Sequence, residues 1–153
     1  MKNMAPSADS FVPIIFGSDV NAYGIARSFY EAYGVKSIIA SKKVWKACQN
    51  TKFIDSALIE PNIEQSDVFV NTMLDFAKSF PDTSKKLILI PCGDSYSELI
   101  AKNQDALRDR YTFNTVTSSL HSQISRKQTF YELCEEHGLD YPLTWMVSKE
   151  NYK

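Results

Sequence analysis

Neither sign of charge dominates this 153-residue chain: 17 Lys and Arg stand against 18 Asp and Glu, a net of −1, with no basic stripe. Nucleic acid and anionic membrane surfaces need a clustered positive field, so neither is an expected partner. Long apolar runs are also missing. The longest are about six residues, against the ~20 that a membrane-spanning helix requires. The opening MKNMAPSADS has no apolar stretch of the signal-peptide kind. Together these features predict a cytoplasmic protein without a transmembrane segment. Cys48, Cys92 and Cys134 are an odd number with no CxxC or Cys/His spacing, which fits three reduced, small buried residues better than a zinc or disulfide framework. His121 and His137 have no Cys, Ser or carboxylate partner at a telling spacing and read as surface or satisfied histidines.

Several nucleotide motifs are absent as well. There is no GxGxxG between Gly17 and Gly24, and the second apolar run ends in Ala40-Ser41-Lys42 rather than in an acidic residue that could hold a ribose, which argues against NAD. A P-loop and a GxSxG nucleophile elbow are missing too. No internal repeat or low-complexity tract interrupts the chain.

What is present is organised around Phe11 to Gly34. Phe11 to Phe16 reads as a buried strand that passes through the turn Gly17-Ser18-Asp19 into a helix over about Val20 to Tyr33, stopped by a left-handed Gly34. Asp19 or Ser18 can cap that helix, and Ala22, Ile25, Ala26, Phe29 and Tyr33 recur on one face. Val35 to Ala40 follows as a second strand, so the unit is the crossover that a parallel pair needs. The basic stretch Ser41 to Asn50 predicts a loop or short irregular helix, leading to a third strand near Phe53 to Leu58. Ser66 to Phe80 predicts a second crossover helix, with Ser66-Asp67 as its cap.

Lys86 to Pro91 is the most apolar strand and ends, like the first, in a glycine turn, Cys92-Gly93-Asp94-Ser95, before a helix over about Tyr96 to Arg108. Ligands of open parallel sheets lie outside the carboxyl ends of the strands, where neighbouring connections diverge. If these two strands are adjacent, their turns face one another across one crevice, and backbone N–H groups at the helix starts can meet an anion. Tyr111 to Val116 predicts a further strand, Leu120 to Ile124 a short helical or turn segment, Arg126 to Gly138 an amphipathic helix, and Leu143 to Val147 a last strand with no partner after it, as in a longer protein that has been cut. Residue chemistry alone supports an α/β domain with a small-anion or small-molecule crevice.

The segments Gly17-Ser18-Asp19-Val20-Asn21-Ala22-Tyr23-Gly24-Ile25-Ala26-Arg27-Ser28-Phe29 and Pro91-Cys92-Gly93-Asp94-Ser95-Tyr96-Ser97-Glu98-Leu99-Ile100, with Lys127 to Pro142, resemble the N-terminal part of ATP-grasp carboxylate–amine ligases. Among these the chain is most similar to the D-aspartate ligases of Gram-positive bacteria, which attach D-aspartate to a lysine side chain of a peptidoglycan precursor. The resemblance runs in order from Phe11 to Val147. It implies a lead-in over 1–10, a Rossmann-like pre-ATP-grasp domain with a mostly parallel sheet over 11–120, and over 121–153 the first helix and strand of a truncated ATP-grasp module.

The resemblance further implies substrate-binding roles for Gly17, Ser18, Asp19, Asn21, Gly93, Asp94 and Ser95, and a contact between Lys127 and the phosphates of ATP. ATP and magnesium would serve the full-length protein, with a small carboxylate such as D-aspartate and an amine acceptor as partners; self-association is left open. Asp19 and Asp94 are not expected to bind metal, and no catalytic residue, tight cofactor or activity is expected within residues 1–153. The rival expectation is a freestanding Rossmann-like module that binds a nucleotide or small acidic ligand.

Overall fold

A computed structural model describes residues 10–82, 84–145 and 147. The chain divides into two units, Met1–Thr115 and Val116–Lys153. In the first, β1 (Phe11–Phe16), β2 (Ser37–Ser41), β3 (Ile54–Ile59), β4 (Lys86–Pro91) and β5 (Tyr111–Thr112) form one sheet in the order β3-β2-β1-β4-β5. Every neighbouring pair is parallel. The strands of Phe11 and Leu87 lie side by side as expected, in register from Phe11 opposite Lys86 to Phe16 opposite Pro91. The chain steps outward from β1 to β3, then returns across the sheet to β4, so the order reverses between β1 and β4.

Period-two alternation sorts the strand residues onto two faces. Ile14, Phe16, Ile38, Ala40, Leu87 and Leu89 pack with Phe69, Met73 and Ala77 of α2 (Ser66–Ala77) and with Leu99 and Ile100 of α3 (Asp94–Lys102). Ile15 and Ile39 face the other way, against Ala22 and Ala26 of α1 (Val20–Tyr33), with Cys48 and Phe53. Strands buried on both faces read as continuous apolar runs, which is why β1 was legible. Asp19 caps α1 by accepting from the Asn21 and Ala22 N–H groups, and Gly34 closes it at φ 69°. Small alanines at the α1 contact let the helix sit close to β1 and β2.

Four expectations are corrected. The second crossover helix is capped at Gln65 without a side-chain bond; Ser66 is already its first helical residue, one position too late to accept from the first-turn amides as a cap, and its hydroxyl donates to Asn103 Oδ1 (3.1 Å). The long helix expected over Tyr96 to Arg108 is two pieces, α3 and α4 (Gln104–Leu107). At the break Asn103 turns to φ −113°, and its Nδ2 joins its own backbone N–H in donating to the Leu99 carbonyl (2.8 Å and 3.1 Å). Only Tyr111 and Thr112 of the fifth strand pair with β4; Phe113 instead packs against the core. Of the strand expected over Leu143–Val147, the described residues Leu143 to Trp145 and Val147 form no strand, the backbone from Leu139 to Trp145 having no regular structure, and Met146 lies outside the described residues. Leu143 is 82% exposed and Trp145 77%, so no apolar face and no neighbouring strand compensates an unpaired ladder. The expected lead-in over 1–10 also lies outside the described residues, except for Ser10.

The basic stretch after β2 carries one turn of 3-10 helix at Lys46–Cys48. The second unit contains α5 (Ser118–Ile124), capped by Thr117, and α6 (Lys127–Glu136). Within it the Tyr131 and Tyr141 rings stack at 5.0 Å, and the Tyr141 hydroxyl donates to Glu135. Among the described residues no helix is long and apolar enough to cross a membrane.

Tyr111 ties the short β5 to α2, donating from its buried hydroxyl to the Met73 carbonyl at 2.6 Å. Burial pushes its phenol well above the ordinary tyrosine range. The folded protein therefore keeps this proton where an unfolded tyrosine loses it, near pH ~10, and stability contributed by Tyr111 falls as pH rises past that point. Tyr111→Phe should cost about 1 kcal/mol at pH 7, from the lost bond and the orphaned carbonyl, and should flatten the alkaline loss. Urea denaturation of both proteins at neutral pH and above pH ~10 checks both parts.

Candidate functional site

The turns after β1 and β4 are joined at their roots. The Phe16 carbonyl accepts the Cys92 N–H (2.9 Å), and the Gly17 N–H donates to the Ala40 carbonyl (3.0 Å). This brings the carboxyl ends of β2, β1 and β4 to one edge, where they border a cavity of about 310 Å³. Gly17, Ser18 and Asp19 line it from the first turn, and Cys92, Gly93 and Ser95 from the second. The two glycine turns thus face one crevice. Asn21 and Asp94 do not line it: Asn21 is exposed and bonded to Asp19, and Asp94 is exposed in the first turn of α3.

Each turn has a distinct local cause. Gly17 adopts φ +117°, and a Cβ there would sit 3.3 Å from the Cys92 Cβ. Asp19 is committed to the α1 cap, Oδ1 accepting from the Asn21 and Ala22 amides and Oδ2 facing Asn21 Nδ2. Ser18 is 3% exposed; its hydroxyl donates to the Lys43 carbonyl (2.7 Å) and accepts the Trp45 N–H (3.1 Å). That hydroxyl orders the loop after β2. By contrast α3 starts at Gly93 with no side-chain cap, so its first-turn N–H donors offer a partial positive charge beside the cavity.

The other walls were not singled out in the sequence. Ser41 is the last residue of β2, Lys42, Lys43 and Trp45 come from the loop after it, Glu64 from the turn before α2, and Tyr96 from α3. A signal was present: the basic run Ser41-Lys42-Lys43 follows a strand's carboxyl end, where ligand loops of such sheets lie. Lys42 and Glu64 form an ion pair. The Lys43 ammonium lies 4.1 Å from the centre of the Trp45 ring, within cation–π range. Tyr96 packs its ring 5.5 Å from Phe16. Burial raises its phenol pKa, as does the Glu64 charge, against a partly offsetting bond from the Lys42 amide.

Cys92 is pushed up to about 11, first by burial and then by the Asp19 carboxylate and Cys48. It therefore stays a thiol at neutral pH, the less nucleophilic form. No group of three His, Cys, Asp or Glu side chains converges to hold a metal among the described residues. A larger groove, about 580 Å³, lies at the opposite edge near Val12, Gly34 and Lys36. That edge carries the amino ends of the strands, away from the crossover turns. Lys127, the residue expected to contact ATP, is exposed at the first position of α6 in the Val116–Lys153 unit.

The class defined by this fold is a Rossmann-like parallel α/β domain with a crevice where the strand order reverses. Its backbone is similar to part of an L-amino acid ligase from Bacillus licheniformis, with a TM-score of 0.63 at 13% identity over 86% of this chain and 31% of that one. In sequence the chain is 39% identical over 143 residues to the N-terminal part of a D-aspartate ligase from Enterococcus faecium. The match covers 93% of this chain and 34% of that ligase, so the chain spans about a third of the length of its curated relative. No protein-family profile matches it.

Gly17→Val tests the first turn. The valine must adopt a left-handed backbone and press on Cys92, so stability should fall by about 1–3 kcal/mol. Thermal melting of the variant checks this, and an unchanged midpoint would show that the turn can relax at no cost.

Proposed function

We propose that this chain is the substrate-side, N-terminal domain of an ATP-dependent carboxylate–amine ligase, acting in the cytoplasm, and that its crevice holds the acid to be activated. The single observation that carries this reading is the alignment of 93% of the chain with D-aspartate ligase. That alignment favours a ligase domain over a freestanding binding module. By the same argument the acid is D-aspartate; the resemblance to D-aspartate ligases of Gram-positive bacteria adds a peptidoglycan precursor as the source of the amine. In this chemistry ATP phosphorylates the carboxylate, and the amine displaces phosphate from the acyl phosphate to form an amide.

The residues present suit the binding half of that task. An acid carboxylate can be met by the uncapped amides at the start of α3 and by the cationic loop after β2. Gly17 and Gly93 allow the backbone to approach it closely, and Ser95 supplies a hydroxyl beside them. Asp19 and Asn21 contribute by fixing the start of α1, and Asp94 by its place in the first turn of α3. No carboxylate cluster suited to magnesium occurs among the described residues, so no step is assigned to magnesium here. Lys127 is proposed to contact the phosphates of ATP.

The full-length protein should release ADP and phosphate when given ATP, D-aspartate and the amine acceptor. Residues 1–153 alone should release neither and should bind ATP at best in the millimolar range, about −4 kcal/mol. Lys127→Ala should raise the Michaelis constant for ATP while shifting stability by under about 0.5 kcal/mol, since alanine is a good helix former at an exposed site. Steady-state kinetics with melting of each variant decides this. Micromolar ATP binding by the 153-residue chain would overturn the assignment to a ligase domain.

A further inference from the structure

We propose that Lys43 is the specificity-determining residue that reads a second negative charge on the acid in the crevice, and that Ser18 and Ser41 are the positioning residues that hold it there. This rests on the ligase reading above and names which side chain separates a diacid from a monoacid.

Most charges of the crevice wall already have a partner. Lys42 is paired with Glu64. The Asp19 carboxylate is occupied at both oxygens by the start of α1. Lys43 has no carboxylate partner among the described residues; its ammonium rests on the Trp45 ring. An indole face steadies a cation but leaves its hydrogen-bond donors unused. Of the lining cations, Lys43 is the one whose charge is still available to a ligand.

Its placement is built. The Lys43 carbonyl accepts two serine hydroxyls, from Ser18 and Ser41, each at 2.7 Å, and both serines are 3% exposed. The same Ser18 oxygen accepts the Trp45 amide, so one buried atom fixes the backbone of both members of the cation–π pair. The neighbouring Val44 carbonyl accepts from Gln49 Nε2 at 3.0 Å. Backbone amides at α3 can satisfy the one carboxylate that every acid substrate shares. Discrimination by a further carboxylate therefore falls to a side-chain charge, and a neutral amide in its place would give up the charge-assisted bond.

The experiment follows the indole N–H signals of the 15N-labelled 153-residue chain. It has two tryptophans, Trp45 and Trp145, so Trp45→Phe assigns both signals. D-aspartate, D-asparagine, D-alanine and sulfate are titrated at constant ionic strength. The expected result is that D-aspartate shifts the Trp45 signal with a Kd about tenfold below that of D-asparagine, equivalent to ~1.4 kcal/mol. In Lys43→Gln the ratio should fall below about twofold because aspartate loses more affinity than asparagine does, and Lys43→Arg should restore most of it. Ser18→Ala should shrink the ratio as well, without abolishing asparagine binding. Equal affinities for aspartate and asparagine, survival of the ratio in Lys43→Gln, or sulfate binding as tightly as aspartate would each overturn the role of Lys43 and leave the crevice standing as an acid site. Absence of any shift with either amino acid would overturn both readings.

Discussion

Because β1 is hydrogen-bonded on both edges and packed on both faces, the rest of the molecule has little freedom in how it arranges itself. Ile14, Ile15 and Phe16 have no exposed surface, and their backbone groups are shared between β2 and β4. Such a strand can be left only at its end, and the exit must be abrupt. Gly17 provides that exit at φ +117°, while the last carbonyl of β1 is used by the chain leaving β4. The crevice follows from this: two connections that start at the same level and depart to opposite faces of the sheet must leave a gap between them.

Little of the charge around that gap is idle. Asp19 is used by a helix, Lys42 by Glu64, and the thiol of Cys92 is kept neutral by burial and by the nearby carboxylate. The Lys42–Glu64 pair is roughly half exposed, so it adds well under ~1 kcal/mol to folding; at the crevice it offsets the Lys42 charge with that of Glu64. The site combines rigid backbone donors on the β4 side with side-chain charge on the β2 side.

The sequence was a good guide wherever one local cause determined the outcome. The apolar run of β1, the Asp19 cap, the left-handed Gly34 and the β4 strand could be read directly, because periodicity and caps act over a few residues. It misled where a distant partner intervened. The helix after β4 is interrupted at Asn103, which receives the Ser66 hydroxyl from 37 residues away. Tyr111 to Val116 looks like a full strand, yet only its first two residues find a neighbour in β4. Of the site, the two glycine turns were legible and their shared crevice was inferred from adjacency. Lys43, Trp45, Glu64 and Tyr96 were not, since three separate segments converge there and no spacing along the chain records it.

The loop that carries Lys43 and Trp45 is tethered to the scaffold by serine hydroxyls, whereas its residues contribute little to the two apolar clusters. Scaffold and loop are thus nearly separable. On the proposed reading, descendants of such a domain could exchange the four residues after Ser41 and acquire a taste for a different acid without refolding, provided a small hydroxyl-bearing residue stays at position 18 to hold whatever backbone arrives. For an engineer, the same separation marks residues 42–45 as the stretch to randomise and Ser18 as the position to leave alone.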